Sequence, residues 1–222
     1  MRLLITDLTE MHGGNFCVAG WDVHANRMIR PLPNGANWTA PLLQQHRVNP
    51  GATIEVWPTG IAGRGAYPHA TEDTPVSVHN IQFISAGPVN WFGPNMPAVS
   101  PNLAAAFGGM LNHNNQWNGT LQGVHVAPAM RVNSLGALRV PSQNLSFNVN
   151  NFGSLRAVLN DGHSSYDLAV SSHRLKTAWR QGQIPAIVAA LPMTQNFHVR
   201  IGLARAFGNP SKCYAMLNDV HG

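Results

Sequence analysis

Short runs of β-forming residues, each bounded by glycine, proline or asparagine, recur along this chain and constrain its fold more than any other feature. β-Branched and aromatic residues between such turn formers are typical of short strands. In the first half, the pattern predicts strands at Arg2–Asp7, Asn15–Trp21, Arg27–Pro31, Ala52–Trp57 and Val76–Ile84. We therefore expect five strands there, with residues 31–50 as the one long connection between them.

The second half repeats the strand pattern and adds two helical segments. Further strands are predicted at Val124–Val132, Ala137–Val140, Leu145–Val149, Leu155–Leu159, Asp167–Ser171, Phe197–Ala204 and Cys213–Val220. Helices are predicted at His173–Arg180 and Ile184–Ala190, because the hydrophobic period changes there and Pro185 falls in a first turn, which tolerates proline.

Five strands with one long connection match the element count of an OB-type barrel. The predicted fold class is mainly β with a few short helices, a β-rich α+β protein made of two OB-like small barrels packed together. A segment rich in proline, asparagine and glycine separates the two sets of strands and holds one short helical candidate, Asn102–Phe107. We predict an N-terminal barrel at residues 1–95, a linker or loop excursion at 96–122, and a C-terminal barrel with a helical insertion at 123–222.

Arginine carries almost all of the positive charge. The chain has 14 Lys+Arg against 9 Asp+Glu, a net charge of +5, and its lysines are Lys176 and Lys212 alone. Guanidinium groups suit the recognition of phosphate and flat rings, although the codon bias of a GC-rich genome gives the same composition. Only 10% of the residues are charged, so the surface repels itself weakly and a homo-oligomer is among the expected states.

Several functional classes lack their sequence signals. Cys17 and Cys213 stand far apart in apolar runs, which disfavours a disulfide scaffold or a zinc site. The 11 histidines show no HExxH pattern and the glycines form no nucleotide-binding loop, so no metal and no cofactor is predicted. The N-terminal apolar run is too short for a signal peptide and no stretch could span a membrane, so we expect a cytoplasmic protein without membrane contact.

Four segments carry a family resemblance: CVAGWDVHANRMIRPLP, YDLAVSS, HVRIGLARAF and KCYAMLNDV. With Cys17, Gly20 and the triplet Ile29-Arg30-Pro31, followed by Asp167–Val170 and Ile201–Arg205, the chain resembles the dual OB-fold family of prokaryotic mobile-element and defence neighbourhoods. The resemblance spans nearly the whole chain. It implies two OB-like barrels, a nucleic-acid or nucleotide ligand and a role in prokaryotic defence, but no catalytic residues.

Three arginines in or beside strands are candidate ligand-binding residues. Arg30 lies at a predicted strand end, where it either contacts a phosphate or base edge or forms an ion pair with Asp22 or Asp7. Arg200 and Arg205 fall on opposite faces of a regular strand. We expect one of them to pair with Asp167 and the other to remain available to a ligand.

Aromatic residues in loops are candidate platforms for base stacking. Trp38 and Trp117 lie in loop segments and are the preferred candidates, whereas Trp21, Trp57 and Phe83 are predicted to be core residues.

The segment Gly63–Asp73 carries the densest mixture of reactive side chains. Arg64 and Tyr67 could hold a phosphate and a ring, and His69, Glu72 and Asp73 could form an acid and base set, with Asp167 as a further candidate. A surface loop of mixed polarity explains the same composition without any chemistry.

These observations favour binding of nucleic acid, single-stranded in particular, or of a nucleotide in a groove lined by arginine and aromatic residues. Two alternatives remain open. One is an enzyme acting on a nucleotide or a nucleic-acid base, and the other is a protein-interaction subunit that uses the charge-poor surface.

Overall fold

The computed structural model describes residues 1–60, 65–87 and 99–222, and in these ranges the protein is mainly β, with two sheets. The strands of the first sheet are β1 Arg2–Glu10, β2 Asn15–Asp22, β3 Arg27–Pro33, β4 Trp38–Thr39, β5 Ala52–Glu55, β6 Asp73–Val76 and β7 Gln82–Ala86. Those of the second are β8 Asn115–Trp117, β9 Thr120–Gln122, β10 His125–Val126, β11 Leu135–Pro141, β12 Leu145–Val149, β13 Leu155–Asn160, β14 Ser165–Val170, β15 Asn196–Leu203 and β16 Cys213–His221. The helices are α1 Ala40–Gln45, α2 Leu103–Ala106 and α3 His173–Ala190, and short 3-10 turns occur at His12–Gly14, His69–Thr71, Val78–Asn80 and Ser142–Asn144.

The first sheet has the strand order β6-β3-β2-β1-β5-β7, with β4 paired to β2. All its pairs are antiparallel except β3 and β6, which run parallel from Arg30 opposite Asp73. Beyond the end of β5, Pro58 forms a bridge to Val76 at the end of β6. We call this sheet, with the segments that pack on it, the first lobe.

The second sheet has the strand order β11-β15-β16-β14-β13-β12, and β8, β9 and β10 attach to it at β14 and β16. Strands β14 and β16 run parallel, and β11 and β12 are separated only by the turn Ser142–Asn144. Helix α3 connects β14 to β15. The Ser172 side chain accepts a hydrogen bond from the Leu175 amide at its start, and non-helical residues Gly182 and Gln183 divide it as the sequence predicted. This sheet, with its attached segments, is the second lobe.

Each lobe has its own hydrophobic core. The first core draws on residues of the first sheet such as Ile5, Ile29 and Ile54, and the second draws on residues from Leu103 onward. Trp38 belongs to the first core and is fully buried, with its Nε1 donating a hydrogen bond to the Pro31 carbonyl 2.7 Å away.

The largest differences between the observed strands and the sequence predictions lie in three segments. The run Val76–Ile84 is interrupted by a 3-10 turn, and the run Val124–Val132 contains only the short strand β10. The segment 96–122 was predicted as a linker or excursion, yet it contains the β8–β9 hairpin of the second sheet. Asn118 and Gly119 both have positive φ in that hairpin, as a tight two-residue turn requires.

None of the described helices is long and apolar enough to cross a membrane.

Candidate functional site

A cleft of about 610 Å³ lies between the two lobes and takes one wall from each. The wall from the first lobe consists of the β2–β3 hairpin and the turn before β6, which together contribute Trp21, Asn26, Arg27, Met28, Ala70, Thr71 and Glu72. The wall from the second lobe is formed by Ser100, Ala106, Asn133, Leu135, Gly136, Ala137 and Arg200. Small-molecule pockets commonly enclose about 300–1,000 Å³, so the cleft has room for a ligand of that class.

The β2–β3 hairpin is shaped by Asp22. Its Oδ1 accepts hydrogen bonds from the amides of His24 at 3.0 Å and Ala25 at 3.2 Å, and Asn26 completes the turn with φ +54°. Asp and Asn favour such turns because their short side chains bond to the local backbone or tolerate positive φ. The turn places a half-buried indole, Trp21, and an exposed guanidinium, Arg27, at the border of the cleft.

Arg200 of β15 lines the cleft although it is only 1% exposed. Its Nε lies 3.3 Å from both carboxylate oxygens of Asp7, and its Nη2 lies 3.2 Å from Asp7 Oδ2 and 3.3 Å from Met28 Sδ. The Thr6 hydroxyl donates a 2.7 Å hydrogen bond to Asp7. The cleft is therefore bordered by a buried ion pair that joins the two lobes.

Glu72 is the carboxylate of the cleft. It accepts hydrogen bonds from the Ser134 amide at 2.8 Å, the Ser134 hydroxyl at 3.1 Å and the Thr71 hydroxyl at 2.7 Å. Burial raises the pKa of the Glu72 carboxyl above its ordinary value, although the hydrogen bond from Thr71 and the charge of Arg30 act in the opposite direction. Glu72 can therefore hold a proton at a higher pH than a solvated glutamate does.

Asp73 bridges two arginines behind the cleft wall. Its Oδ1 accepts from Arg30 Nη1 at 2.7 Å and its Oδ2 accepts from Arg205 Nη2, on the other lobe, at 2.6 Å. Arg30 also donates to the Ser134 hydroxyl at 2.9 Å and contacts Cys17 Sγ at 3.1 Å. Arg30 is thus fully engaged in a buried network and makes no contribution to the cleft lining.

The turn before β6 makes further contacts with the second lobe. His69 is buried, and its Nε2 lies 2.9 Å from the Leu203 carbonyl oxygen, which can only accept, so this nitrogen carries the proton. Burial, reinforced by the charge of Arg30, lowers the pKa of His69 to about 4. The Tyr67 ring lies 5.6 Å from the Arg131 guanidinium carbon. Both side chains therefore hold the lobes together.

The structure places the predicted charged residues in two groups. It brings Arg30, Glu72, Asp73 and Arg205 into one hydrogen-bonded network at the lobe junction, where Ser134 links Arg30 to Glu72. His69 lies at the same junction but bonds to the Leu203 carbonyl, and Glu72 and Arg200 line the cleft. Asp167 lies elsewhere, in an ion pair with Arg156 at 2.9 Å. The expectation that Asp167 pairs with Arg200 or Arg205 was therefore wrong, as were Asp22 and Asp7 as ion-pair partners of Arg30.

The predicted aromatic residues do not form a common surface in the cleft. Trp38 is a core residue and offers no face for stacking, because the first core closes over it. Trp117 is 69% exposed on β8, outside the cleft lining, and Trp57, a predicted core residue, is 40% exposed. Arg64 lies outside the described residues.

Sequence reasoning missed three important residues of the site. Trp21 was assigned to the core, Arg27 was not singled out, and Asp7 was considered only as a partner of Arg30. A signal for the first two was present, because Asp22 and Asn26 are turn formers that place Trp21 and Arg27 at the end of a hairpin. In the described ranges, no group of three or more histidine, cysteine, aspartate or glutamate side chains could hold a metal ion.

Comparison of the chain with protein-family models, with curated proteins and with solved structures finds no match.

Proposed function

We propose that this protein binds a nucleotide, or one or two residues of a single-stranded nucleic acid, in the cleft between its lobes. The observation that carries the proposal is the cleft lining, which combines two guanidinium groups, Arg27 and Arg200, with the indole of Trp21. Guanidinium groups bind phosphate oxygens, and indole rings stack on bases. The resemblance to the dual OB-fold family supports the proposed role in prokaryotic defence.

The strand connections support the proposal that each lobe is an OB-like barrel. Such a barrel is a five-stranded, partly open Greek-key barrel, and in a Greek key the fourth strand returns to lie beside the first. In the first lobe, β1 pairs with β2 and β5, and β3 runs parallel to β6. In the second lobe, β12 pairs with β13 and β11 with β15, and β14 runs parallel to β16.

The location of the cleft agrees with the same proposal. OB-type barrels bind oligonucleotides on the face of their second and third strands and with the loops between strands one and two and between strands four and five. In the first lobe the β2–β3 hairpin and the segment between β5 and β6 line the cleft, whereas the connection between β1 and β2 does not.

An enzymatic function is the second candidate, and Glu72 is the observation that favours it. A buried carboxyl with a raised pKa beside a ligand cleft is a typical general acid or base. His69 does not complete an acid and base set in the cleft, because its Nε2 is bonded to the Leu203 carbonyl. Incubation of the protein with nucleotides and oligonucleotides, followed by product analysis, tests this candidate, and Glu72→Gln should abolish any turnover found.

The binding proposal is tested by fluorescence anisotropy with labelled single-stranded DNA and RNA, and by competition with free nucleotides, at low and moderate salt. We expect binding that weakens as salt rises, because phosphate neutralisation releases counterions. Arg27→Ala should weaken binding. Arg47→Ala is the matched control, because Arg47 is also an exposed arginine of the first lobe but does not line the cleft. Absence of binding to every nucleotide and oligonucleotide at low salt would contradict the proposal.

A further inference from the structure

Strand β1 contains a bulge that directs Asp7 away from the first core. Leu3, Ile5 and Leu8 belong to that core, so the spacing of core residues changes from two to three at this point. The pairing of β1 with β2 shifts between Ile5 and Asp7, which leaves Thr6 as an extra residue. Without the extra residue, strict alternation would place Asp7 on the core side. The bulge instead directs its carboxylate to the second lobe.

The partner strand of Arg200 carries a matching bulge. On β16, Cys213, Ala215, Leu217 and Val220 belong to the second core, and the pairing with β15 shifts so that Asn218 is the extra residue. Arg200 lies at this shift, opposite Asp219. Bulges are frequent next to functional sites, where they redirect a side chain. The ion pair of Asp7 and Arg200 therefore joins two irregular strand positions, one in each lobe.

This ion pair is the most deeply buried of the Arg–Asp pairs and also has the longest contacts. Its side chains are 2% and 1% exposed, and its nearest N–O distance is 3.2 Å. The other four Arg–Asp pairs among the described residues have N–O distances of 2.6 to 2.9 Å. Charge-assisted hydrogen bonds normally measure about 2.7–2.9 Å. Asp7 therefore orients the Arg200 guanidinium without satisfying it fully.

The third guanidinium nitrogen of Arg200 is available for another partner. Within the described ranges, the hydrogen bonds of Arg200 are made by Nε and Nη2, and Nη1 makes none. Arg200 is one of the residues that line the cleft, and its side chain is 2% exposed. Because Asp7 and Met28 occupy Nε and Nη2, the N–H groups of Nη1 are what Arg200 can offer to an oxyanion, and phosphate oxygens accept such charge-assisted hydrogen bonds.

We infer that Arg200 anchors the phosphate of the ligand in the cleft and that Asp7 is its positioning residue. This inference rests on the proposed function and adds to it the chemical group that is recognised. The ligand is then a phosphorylated nucleoside or a nucleic-acid strand, and an unphosphorylated nucleoside is expected to bind much more weakly.

The experiment compares adenosine with AMP by isothermal titration calorimetry, with wild type and the variants Arg200→Lys, Arg200→Met and Asp7→Asn. Wild type should prefer AMP, and each Arg200 variant should reduce that preference by about tenfold to hundredfold, the range for a lost hydrogen bond to a charged group. Asp7→Asn should reduce the preference in the same direction. Arg205→Met is the matched control, because Arg205 also joins the lobes but does not line the cleft.

The ratio of the two affinities separates a role in recognition from one in folding, since a misfolded cleft loses both ligands equally. An unchanged ratio in folded Arg200 variants overturns the inference and leaves the proposed function intact. Should those variants not fold, addition of pyrophosphate to wild type, followed by NMR of the arginine Nε–H groups, decides the matter. A shift of the Arg200 resonance without a shift of Arg30 supports the anchor, and no shift overturns it. Failure of wild type to bind any nucleotide contradicts the proposed function. The pyrophosphate experiment still tests separately whether Arg200 binds a phosphate group.

Discussion

Asp73 provides the sharpest test of how the two lobes are held together, because one carboxylate binds an arginine of each lobe. It is 4% exposed and accepts from Arg30 at 2.7 Å and from Arg205 at 2.6 Å. Removing one partner of a buried ion pair costs about 3–5 kcal/mol, because the other charge stays buried without compensation. Arg205 is 44% exposed and can be solvated, so we expect the lower end of the range for Asp73→Asn, about 3 kcal/mol.

The assay is thermal and urea unfolding of wild type and Asp73→Asn. For a chain of this size, about 3 kcal/mol corresponds to a decrease in Tm of about 6–12 °C. Asp167→Asn is the matched control, because Asp167 pairs with Arg156 while both side chains are about one fifth exposed. Its cost should stay near 1 kcal/mol or below, as for ion pairs in contact with solvent. A loss of less than about 1 kcal/mol for Asp73→Asn, equal to that of the control, would refute the reasoning.

Three further predictions concern titration and exposure. The pKa of His69 is lowered to about 4 by burial, so the unfolded state binds more protons between pH 6.5 and 4 and stability falls as the pH decreases through that window. His69→Gln should therefore flatten the dependence of the free energy of unfolding on pH in this range. Burial alone would raise the pKa of Glu10, but hydrogen bonds from Arg180 and His173 outweigh it and lower the pKa to about 2. The stabilisation by ionised Glu10 is present above pH 4.5 and is lost as the pH falls towards 2. Glu10→Gln should remove this loss from the free energy of unfolding measured in urea at each pH. Trp117 is 69% exposed and outside the cleft, so Trp117→Ala should change stability by no more than about 0.5 kcal/mol and leave AMP affinity unaltered in calorimetry.

The longer strands could be predicted from the sequence because each is a short run of β-forming residues between turn formers. The β8–β9 hairpin was missed, since its strands have three residues each and carry polar side chains such as Asn115 and Gln122. Such a short segment has no periodicity to detect, and it is a strand only because it pairs with β14. The buried position of Trp38 was missed for a related reason, as its burial depends on tertiary packing around a loop.

Several charged residues of the site, such as Arg30, Asp73 and Arg200, could be selected from the sequence, but Arg27 was missed and the ion-pair partners could not be predicted. Arg30 and Asp73 are 43 residues apart, and Asp7 and Arg200 are 193 residues apart. Residue type indicates that a buried arginine needs an acid, yet the choice among the 9 acids follows from strand register and lobe contact. The bulges could not be predicted either, because the continuous apolar runs Leu3–Ile5 and Cys213–Leu217 show no alternation whose shift would reveal an irregular strand.

The polar lobe junction also determines how a ligand should act on stability. A ligand that contacts both walls of the cleft binds only when the lobes are docked, and it stabilises that state by about 2.7 kcal/mol at a concentration of 100 times its Kd. Asp73→Asn weakens docking without touching the cleft lining. If the lobes unfold as one unit, this variant should keep the wild-type affinity, since the docked form still dominates below Tm. If the lobes separate while each core stays folded, the apparent affinity should fall in proportion to the docked fraction. Affinity and Tm measured on the same variant therefore distinguish a rigid cleft from one that opens at the ion-paired junction.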